Sequence, residues 1–538
     1  MVESGFVPPV LPMEGDWPVL HSPEVRAKIE ASLPAFLQAQ RWFRGKAQAL
    51  RSARLQRLIP IGRGDLRFRL ALVSVDYIDA VAELYLIPLA FAERTRVSRT
   101  APVIAVFQPA GSPSEQVLYD AARVPELIST LLELMRRDRE CLADGGMLTG
   151  ARTPEFSDAE PLGQLSLAVL PIAAEQSNSS ARIGDRFIFK LYRAIQDGRN
   201  PEVEVGLFLS GRTAKAPAAA LAGHLEFSAA GRGPATLAVV HRWIPSQGDA
   251  WTMTLDHLRG YFERARALLE KGVDLRVQPP AEFIGSVGPY LERARLLGVR
   301  TAQLHEILGS DRSDPAFAPE PFDQLYIESL CRSMRSDRAE VFELLRRRRG
   351  VLTPALRTLA DAVLDRAADI DGRYGALLGR KFGGRRIRIH GDYHLGQTLW
   401  TGSDFVMIDF EGEPLLAFPD RRTKHSPLRD VAGMLRSFDY AANAGLRAAA
   451  DASSELHGGF TAAARLWRSW ACAAFLAAYR GELAGSSILT QEPAEFRPLL
   501  SAYLIAKAVY ELRYEFNNRP DWVEVPLRGL QDLIATAG

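Results

Sequence analysis

The order of hydrophobic and polar positions divides this chain into a β-rich first half and a helical second half. Short apolar and β-branched runs at 70–75 and 81–87 read as strands, and the spacing over 124–135 predicts a helix. Three further strand-like runs lie at 165–172, 186–192 and 235–240. Between the last two, Asn200–Pro201 opens a helix. Proline at the first helical position forfeits no hydrogen bond, and the Asn side chain caps the free amides. Beyond 251 long helical patterns dominate, interrupted by one β-rich interval at 386–409. Residues 1–33 are rich in Pro, Glu and Gly and show no clear period, so a loosely packed tail is expected there. Gly145, Gly146 and the Thr153–Pro154 break predict a connection between units. The expected organisation is α+β and bilobal: a tail at 1–33, a first β-rich unit at 34–150, a second at 151–250, and a helical lobe at 251–538.

Composition narrows the function classes. With 538 residues, 47% of them hydrophobic, the chain can bury several cores. Its formal net charge of +2 suggests neither a nucleic-acid binder nor a membrane-surface protein. The basic run Arg346, Arg347, Arg348, Arg349 before Gly350 follows Val341, Phe342, Leu344 and Leu345. It therefore reads as the cationic last turn of a helix. Cys141, Cys331 and Cys472 lack metal-ligand spacing and fit a reducing cytosol, which makes a cytoplasmic location the expectation. The N-terminal stretch has Pro8, Pro9, Glu14, Gly15 and Asp16 where an export signal needs an apolar core. The apolar run at 470–479 falls well short of the roughly 20 residues of a membrane span.

The segment at 386–414, RIRIHGDYHLGQTLWTGSDFVMIDFEGEP, carries the chemistry. Ile387 and Ile389 alternate with arginines and lead into His390, Gly391 and Asp392. A second strand-like run, 405–408, delivers Asp409. Two strand-ended aspartates joined by a hairpin would stand side by side, with Gln397 in the loop between them. Phosphoryl transfer from ATP needs this set: one carboxylate to accept the attacking hydroxyl's proton, and another carboxylate with a neutral oxygen to hold Mg²⁺. Asp392 is assigned as base, with Asp409 and Gln397 as metal ligands. His390 and His394 resemble a metal pair, but Gly391 between them opposes the helix that such spacing needs.

HGDYH-x-x-Q followed by IDFEGEP resembles the catalytic and metal loops of the protein-kinase-like superfamily that includes aminoglycoside and choline kinases. Gln397 stands where those enzymes usually carry Asn, which shifts the second metal ligand. The resemblance narrows with RRTKHSPLRDVAGMLRSFDYAA at 421–442, KAVYELRYEFNNRPDW at 507–522, EQSNSS at 175–180 and QRWFRGK at 40–46, all similar to the maltokinases. Arg44 departs from the small residue usual in the last of these. The resemblance implies a protein-kinase-like fold with an N-terminal cap subdomain, a β-rich N-lobe and a helical C-lobe. It implies ATP-dependent phosphorylation of maltose at the anomeric hydroxyl to give maltose 1-phosphate, feeding α-glucan synthesis. It also implies Mg²⁺ as cofactor and possible association with a trehalose synthase.

Further site residues follow from position and from that resemblance. Lys190 matches the superfamily's strand lysine. Glu204 is the first choice for its orienting acid and Glu202 the second. Ser177, Asn178, Ser179 and Ser180 read as a polar turn whose amides and hydroxyls can hold phosphate. Arg242 and Ile244 occupy the hinge position, where backbone groups would meet adenine. The resemblance makes Asp430 an anchor of the catalytic-loop backbone. Lys507, Tyr510, Glu511, Tyr514 and Asn518 share one face of a helix, at i, i+3, i+4, i+7 and i+11. Tyrosines, a carboxylate and an amide suit a sugar. The resemblance assigns Glu511, Glu515, Asn518 and Arg519 to the acceptor pocket, and His394 is counted with them. Two alternatives stand beside this reading: a kinase of amino sugars or aminoglycosides, and a non-catalytic partner module of a trehalose synthase.

Overall fold

The computed structural model describes residues 6–13, 20, 22–62, 68–109, 114–143, 145–157, 169–172, 177–212, 216–229, 231, 233–277, 279–414, 416–450 and 456–535. The chain forms two compact units, one of residues 1–211 with 219–245 and one of 212–218 with 246–538. All counts below refer to the described residues.

The first unit opens with β1 (Val10–Met13), α1 (Pro23–Ala39), β2 (Leu50–Ile61), β3 (Phe68–Tyr77), β4 (Glu83–Glu93), β5 (Val103–Pro109), β6 (Gln116–Asp120) and α2 (Pro125–Arg136). β7 (Glu140–Ala143), β8 (Gly146–Arg152), α3 (Pro154–Ser157), β9 (Val169–Ile172), β10 (Asn178–Ile183) and β11 (Phe187–Tyr192) follow. β12 (Ala194–Ile195), α4 (Pro201–Ser210), β13 (Leu221–Ala229) and β14 (Ala235–Arg242) complete it. One sheet runs β1-β5-β6-β4-β3-β2, with β12 also on β4. The other runs β7-β8-β13-β14-β11-β10-β9.

Two expectations need correction. First, the described residues of the expected tail, 1–33, are not loose. β1 pairs in parallel with β5, and α1 begins at Pro23. Val25, Ile29, Leu33, Phe36 and Leu37 bury one stripe of α1 in the core of the first sheet. The period was present from Val25 onward, but the Pro- and Glu-rich residues before it obscured its start. Second, the division expected at 150 falls inside β8, which pairs with β13 in the second sheet. Gly145 and Gly146 belong to the β7–β8 hairpin, not to a connection between units. Of the strand expected at 165–172, β9 covers 169–172 and the remainder lies outside the described residues.

Arg193 ties the two sheets of this unit together. It is 3% exposed, pairs with Asp120 at 2.8 Å and lies over the Trp42 ring at 4.4 Å. The QRWFRGK motif thus supplies a ring that packs against a buried, charge-paired guanidinium.

The second unit contains α5 (Ala250–Glu270), α6 (Ala281–Gly285), α7 (Gly288–Leu308), β15 (Glu320–Pro321), α8 (Gln324–Arg348), α9 (Pro354–Leu364) and α10 (Ala367–Gly375). Then come β16 (Arg385–Arg386), β17 (Thr398–Trp400), β18 (Phe405–Met407), α11 (Phe418–Arg421), α12 (Leu428–Ala450), α13 (His457–Glu482), α14 (Pro493–Asn518) and α15 (Glu524–Ala535). α8 ends in the arginine run as its last turn. The hairpin differs from expectation: β18 pairs with β17, which follows the His390 loop, and not with the segment that leads into it. Arg385–Arg386 pair with β15, and Ile387 bridges to His425. No helix among the described residues is long and apolar enough to cross a membrane, and the three cysteines are free.

Candidate active site

In the first unit, Lys190 lies on β11, opposite Ser180 of β10 and Val239 of β14. Its Nζ donates to Glu202 Oε2 at 3.1 Å, and the Tyr192 hydroxyl donates to the same oxygen. Glu202, only 3% exposed, is in the first turn of α4. Asn200 sets the start of that helix by accepting from the Glu202 amide at 2.9 Å, while its own amide donates to Thr236 Oγ1 at 2.9 Å. The cap fixes which helical position faces the lysine. That position is 202, so the first choice, Glu204, is corrected. Two residues further along a helix is about 200° around it, which turns Glu204 away. Glu204 instead acts on Arg199.

The expected polar turn is corrected too. Asn178, Ser179 and Ser180 are in strand β10, and only Ser177 precedes it. Ser179 Oγ accepts from Arg193 Nε at 2.8 Å. At the expected hinge, Arg242 spends its backbone N–H on Ala220 O at 2.9 Å and its side chain on Glu155 at 3.2 Å. Ile244, after the strand, is half-buried.

In the second unit the loop from His390 to Gln397 is pinned by one buried carboxylate. Asp430 Oδ2 accepts from the His390 amide at 2.7 Å, and Oδ1 from the Gly391 amide at 2.9 Å. His305, fully buried, stands 3.1 Å from Asp430 Oδ2 and is itself held by the Tyr479 hydroxyl at 3.0 Å. These contacts hold the Asp430 carboxyl below its ordinary range even though burial alone would raise it. The His390 ring accepts the Asp392 amide at Nδ1 (3.4 Å) and faces Ile408 O with Nε2 (2.9 Å). The two bonds together require the Nε2–H tautomer.

Gly391 sits at φ +87°, a conformation that strains any L side chain, and a Cβ there would stand a tight 3.1 Å from Gly412 Cα. At Gly433 of α12, a Cβ would be 2.6 Å from Tyr393 O, so the loop rests directly on the helix backbone. Ser437 Oγ accepts the Leu395 amide at 3.1 Å.

Asp409 adopts φ +66°, a left-handed conformation that Asp tolerates better than most residues. Its Oδ2 accepts from Gln397 Nε2 at 3.0 Å. The Gln397 amide presents its nitrogen to this carboxylate; with the amide turned over, its oxygen and the Asp409 carboxylate would make a hard-donor set of the kind Mg²⁺ takes. His394 Nδ1 accepts the Gly396 amide at 3.1 Å and its Nε2 lies 3.9 Å from Asp392; burial lowers its pKa.

The acceptor helix is α14, but its polar face divides. Lys507 reaches the loop: Nζ lies 2.9 Å from Glu413 Oε1, 3.7 Å from Asp392 Oδ1 and 4.4 Å from the centre of the Tyr510 ring. Glu511 does not offer an open carboxylate. Its Oε2 accepts Arg436 Nε at 2.9 Å and Nη2 at 2.6 Å. Glu515, 1% exposed, accepts the Tyr440 hydroxyl at 3.0 Å and Arg519 Nη2 at 2.6 Å. Tyr514 is exposed and stacks on Tyr510, and Asn518 donates to Tyr514 O at 2.9 Å. The shared face predicted from spacing is real, but its carboxylates are consumed by intramolecular partners.

Sequence reasoning missed Glu413, Arg429 and His305. Glu413 lies in the quoted EGEP motif. It is buried, and its second oxygen accepts Arg429 Nη2 at 2.9 Å. Lys507 and Arg429 outweigh its burial and bring its carboxyl down to about 2. His305 has no local signal at all, being a buried residue of α7. Beside the loop is a cleft of about 490 Å³, lined by Gly391, Tyr393, Glu413, Arg429, Lys507 and Tyr510, together with Tyr326 and Asp337 of α8.

Comparison with known proteins gives this arrangement a family. Residues 36–123 match the maltokinase N-terminal cap domain, and residues 168–476, more than half of the chain, match the phosphotransferase enzyme family. A glucosamine kinase of Streptacidiphilus jiangxiensis is 28% identical over 306 residues, covering 57% of this chain and 59% of that protein's length. A glucosamine kinase of Mycolicibacterium smegmatis is 26% identical over 367 residues, covering 68% of this chain and 79% of that protein. Among solved structures, glucosamine kinase in crystal form B superposes with TM-score 0.63 at 21% identity, over 97% of this chain and 100% of that one. Glucosamine kinase in complex with glucosamine, ADP and inorganic phosphate gives TM-score 0.59 at 21% identity, with the same coverage. These likenesses establish a shared kinase-like fold, and the matched residues include both Lys190 and the whole loop from His390 to Asp409. The chain belongs to the phosphotransferase enzyme family and carries a maltokinase-type N-terminal cap domain.

Proposed function

We propose that this chain transfers the γ-phosphoryl group of ATP to a sugar hydroxyl, with the anomeric hydroxyl of maltose as the leading acceptor and maltose 1-phosphate as product. The observation that carries this reading is the loop at Asp392, clamped by Asp430 and opening on the cleft along α14. In it, Asp392 accepts the proton of the attacking hydroxyl. The sugar oxygen forms the new bond to phosphorus as the bond to the leaving ADP oxygen breaks. Lys190, oriented by Glu202, neutralises the nucleotide phosphates. Asp409 and Gln397 would hold Mg²⁺, which supplies further charge neutralisation at those phosphates.

The cap-domain match supports maltose as acceptor, and the resemblance at 421–442 and 507–522 supports it independently. The maltokinase resemblance also points to a cytoplasmic enzyme acting beside a maltose-supplying trehalose synthase. A second reading, an amino-sugar kinase, is favoured by the two glucosamine kinases among its relatives. The test is a screen of mono- and disaccharides for ATP-dependent phosphorylation, with the linkage of each product read by phosphorus NMR. A maltose product phosphorylated at C1 supports the first reading. Turnover confined to amino sugars replaces it with the second, and no turnover with any acceptor removes both.

A further inference from the structure

The acceptor end of Asp392 is already occupied by a fixed cation. Lys507 Nζ lies 3.7 Å from the Asp392 carboxylate and is anchored at 2.9 Å by Glu413. Glu413 cannot swing away with it, because Arg429 Nη2 holds its other oxygen at 2.9 Å. Arg429 is fixed in turn: its Nη1 donates to His425 Nε2 at 2.8 Å, and His425 Nδ1 meets the Tyr326 hydroxyl at 2.9 Å. Burial keeps His425 neutral, so it can accept from the guanidinium. The charged groups lining this cleft are Lys507 and Arg513 from α14, Arg429 from α12, Asp337 from α8, Asp420 from α11 and Glu413 from the loop after β18, with Asp392 beside Lys507. Of the two carboxylates near Lys507, Glu413 is shared by two cations and Asp392 takes the proton of the reacting hydroxyl.

We infer that Lys507, clamped by Glu413, is a specificity-determining residue that admits a hydroxyl and excludes an ammonium group on the carbon next to the phosphorylated one. The inference rests on the sugar-kinase reading above and names its substrate class. The reason is the donor inventory. A lysine ammonium has three donors and no acceptor. A neighbouring sugar hydroxyl can accept from it, and that bond also orients the acceptor against Asp392. An ammonium substituent on the same carbon can only donate. It would therefore offer Lys507 no acceptor for its remaining donors and add a like charge beside it. Differences of this kind, a lost hydrogen bond combined with like-charge repulsion, decide specificity more strongly than size does. Asp337 and Asp420 line the same cleft, and the ion pairs of Lys507 go to Glu413 and Asp392 instead.

The experiment compares glucose with glucosamine, which differ only at that carbon, using the full-length enzyme, ATP and magnesium. Wild type should favour glucose in kcat/KM by on the order of tenfold or more, at a pH where the amine is charged. Lys507→Met should narrow the ratio by on the order of tenfold even if it slows both reactions, and Lys507→Arg should retain it. Raising the pH until the amine is largely neutral should narrow the ratio in wild type as well. Equal or better use of charged glucosamine by wild type, or an unchanged ratio in Lys507→Met, overturns the inference while leaving sugar phosphorylation standing. If neither monosaccharide is turned over, the phosphotransfer reading stands where maltose is phosphorylated and fails on its own account where it is not. Calorimetric binding of the two sugars in the presence of ADP then decides exclusion, and equal affinities overturn it.

Discussion

Glu511 separates a recognition role from a structural one, and replacing it with Ala should cost stability before it costs acceptor binding. Its carboxylate is buried and takes two hydrogen bonds from Arg436, at 2.9 and 2.6 Å. Arg436, 4% exposed, also donates to Asp439 at 2.6 Å, and Asp439 accepts from Arg468 at 2.8 Å. This ionic chain joins α14 to α12 and α13. Breaking a buried pair by removing one partner costs about 3–5 kcal/mol, because the remaining charge stays desolvated. Asp439 still neutralises part of Arg436, which puts Glu511→Ala near the lower end, about 3 kcal/mol. That is roughly a hundredfold in the unfolding equilibrium, since about 1.4 kcal/mol is tenfold. Urea unfolding followed by intrinsic fluorescence should show the lowered midpoint. The double variant Arg436→Met/Glu511→Leu should recover much of the loss, because removing both charges removes their desolvation cost. The KM for the acceptor should change little in either. A Glu511→Ala enzyme with wild-type stability and an acceptor KM raised about ten- to a hundredfold would refute this reasoning. A shift of that size is what loss of a charge-assisted hydrogen bond to the sugar would produce.

Asp392→Asn should bind ATP as wild type does and lose about 10²–10⁴-fold in kcat, measured with saturating acceptor. Glu202→Ala should raise the KM for ATP while Glu204→Ala leaves it nearly unchanged, since Glu202 accepts directly from Lys190 at 3.1 Å. The ionic clamp should also show in acid. The Glu413 carboxyl is lowered from 4.5 to about 2, so its contribution to stability is complete above pH 4.5 and is lost as pH falls through about 2. The stability difference between wild type and Glu413→Gln, followed by chemical denaturation, should therefore be constant near neutrality and shrink over that acid window.

Much of the site was legible because its chemistry is local. His390, Asp392, Gln397 and Asp409 fall within one short segment, and Gln397 and Asp409 are hydrogen-bonded at 3.0 Å. Asp430, identified by resemblance, does hold the loop backbone. Asn200 and Pro201 start α4 where the capping signals put it. The same cap shows how close the sequence came to the right acid: it named both Glu202 and Glu204, and only the helical rotation set by Asn200 and Thr236 selects between them.

The residues of the sequence by themselves determined the strands and helices whose periods are strong, the catalytic loop and the kind of chemistry it suits. Tertiary structure alone decided how side chains that look equivalent in sequence are used. Periodicity put Lys507, Glu511 and Tyr514 on one face of α14, but it says nothing of what faces them. α12 brings Arg436 to Glu511, the EGEP loop brings Glu413 to Lys507, and α7 brings His305 under Asp430. A charged group's role depends on which opposite charge shares its burial, because desolvation without a partner is too costly to persist. The partners here come from distant parts of the chain, and folding is what assigns them.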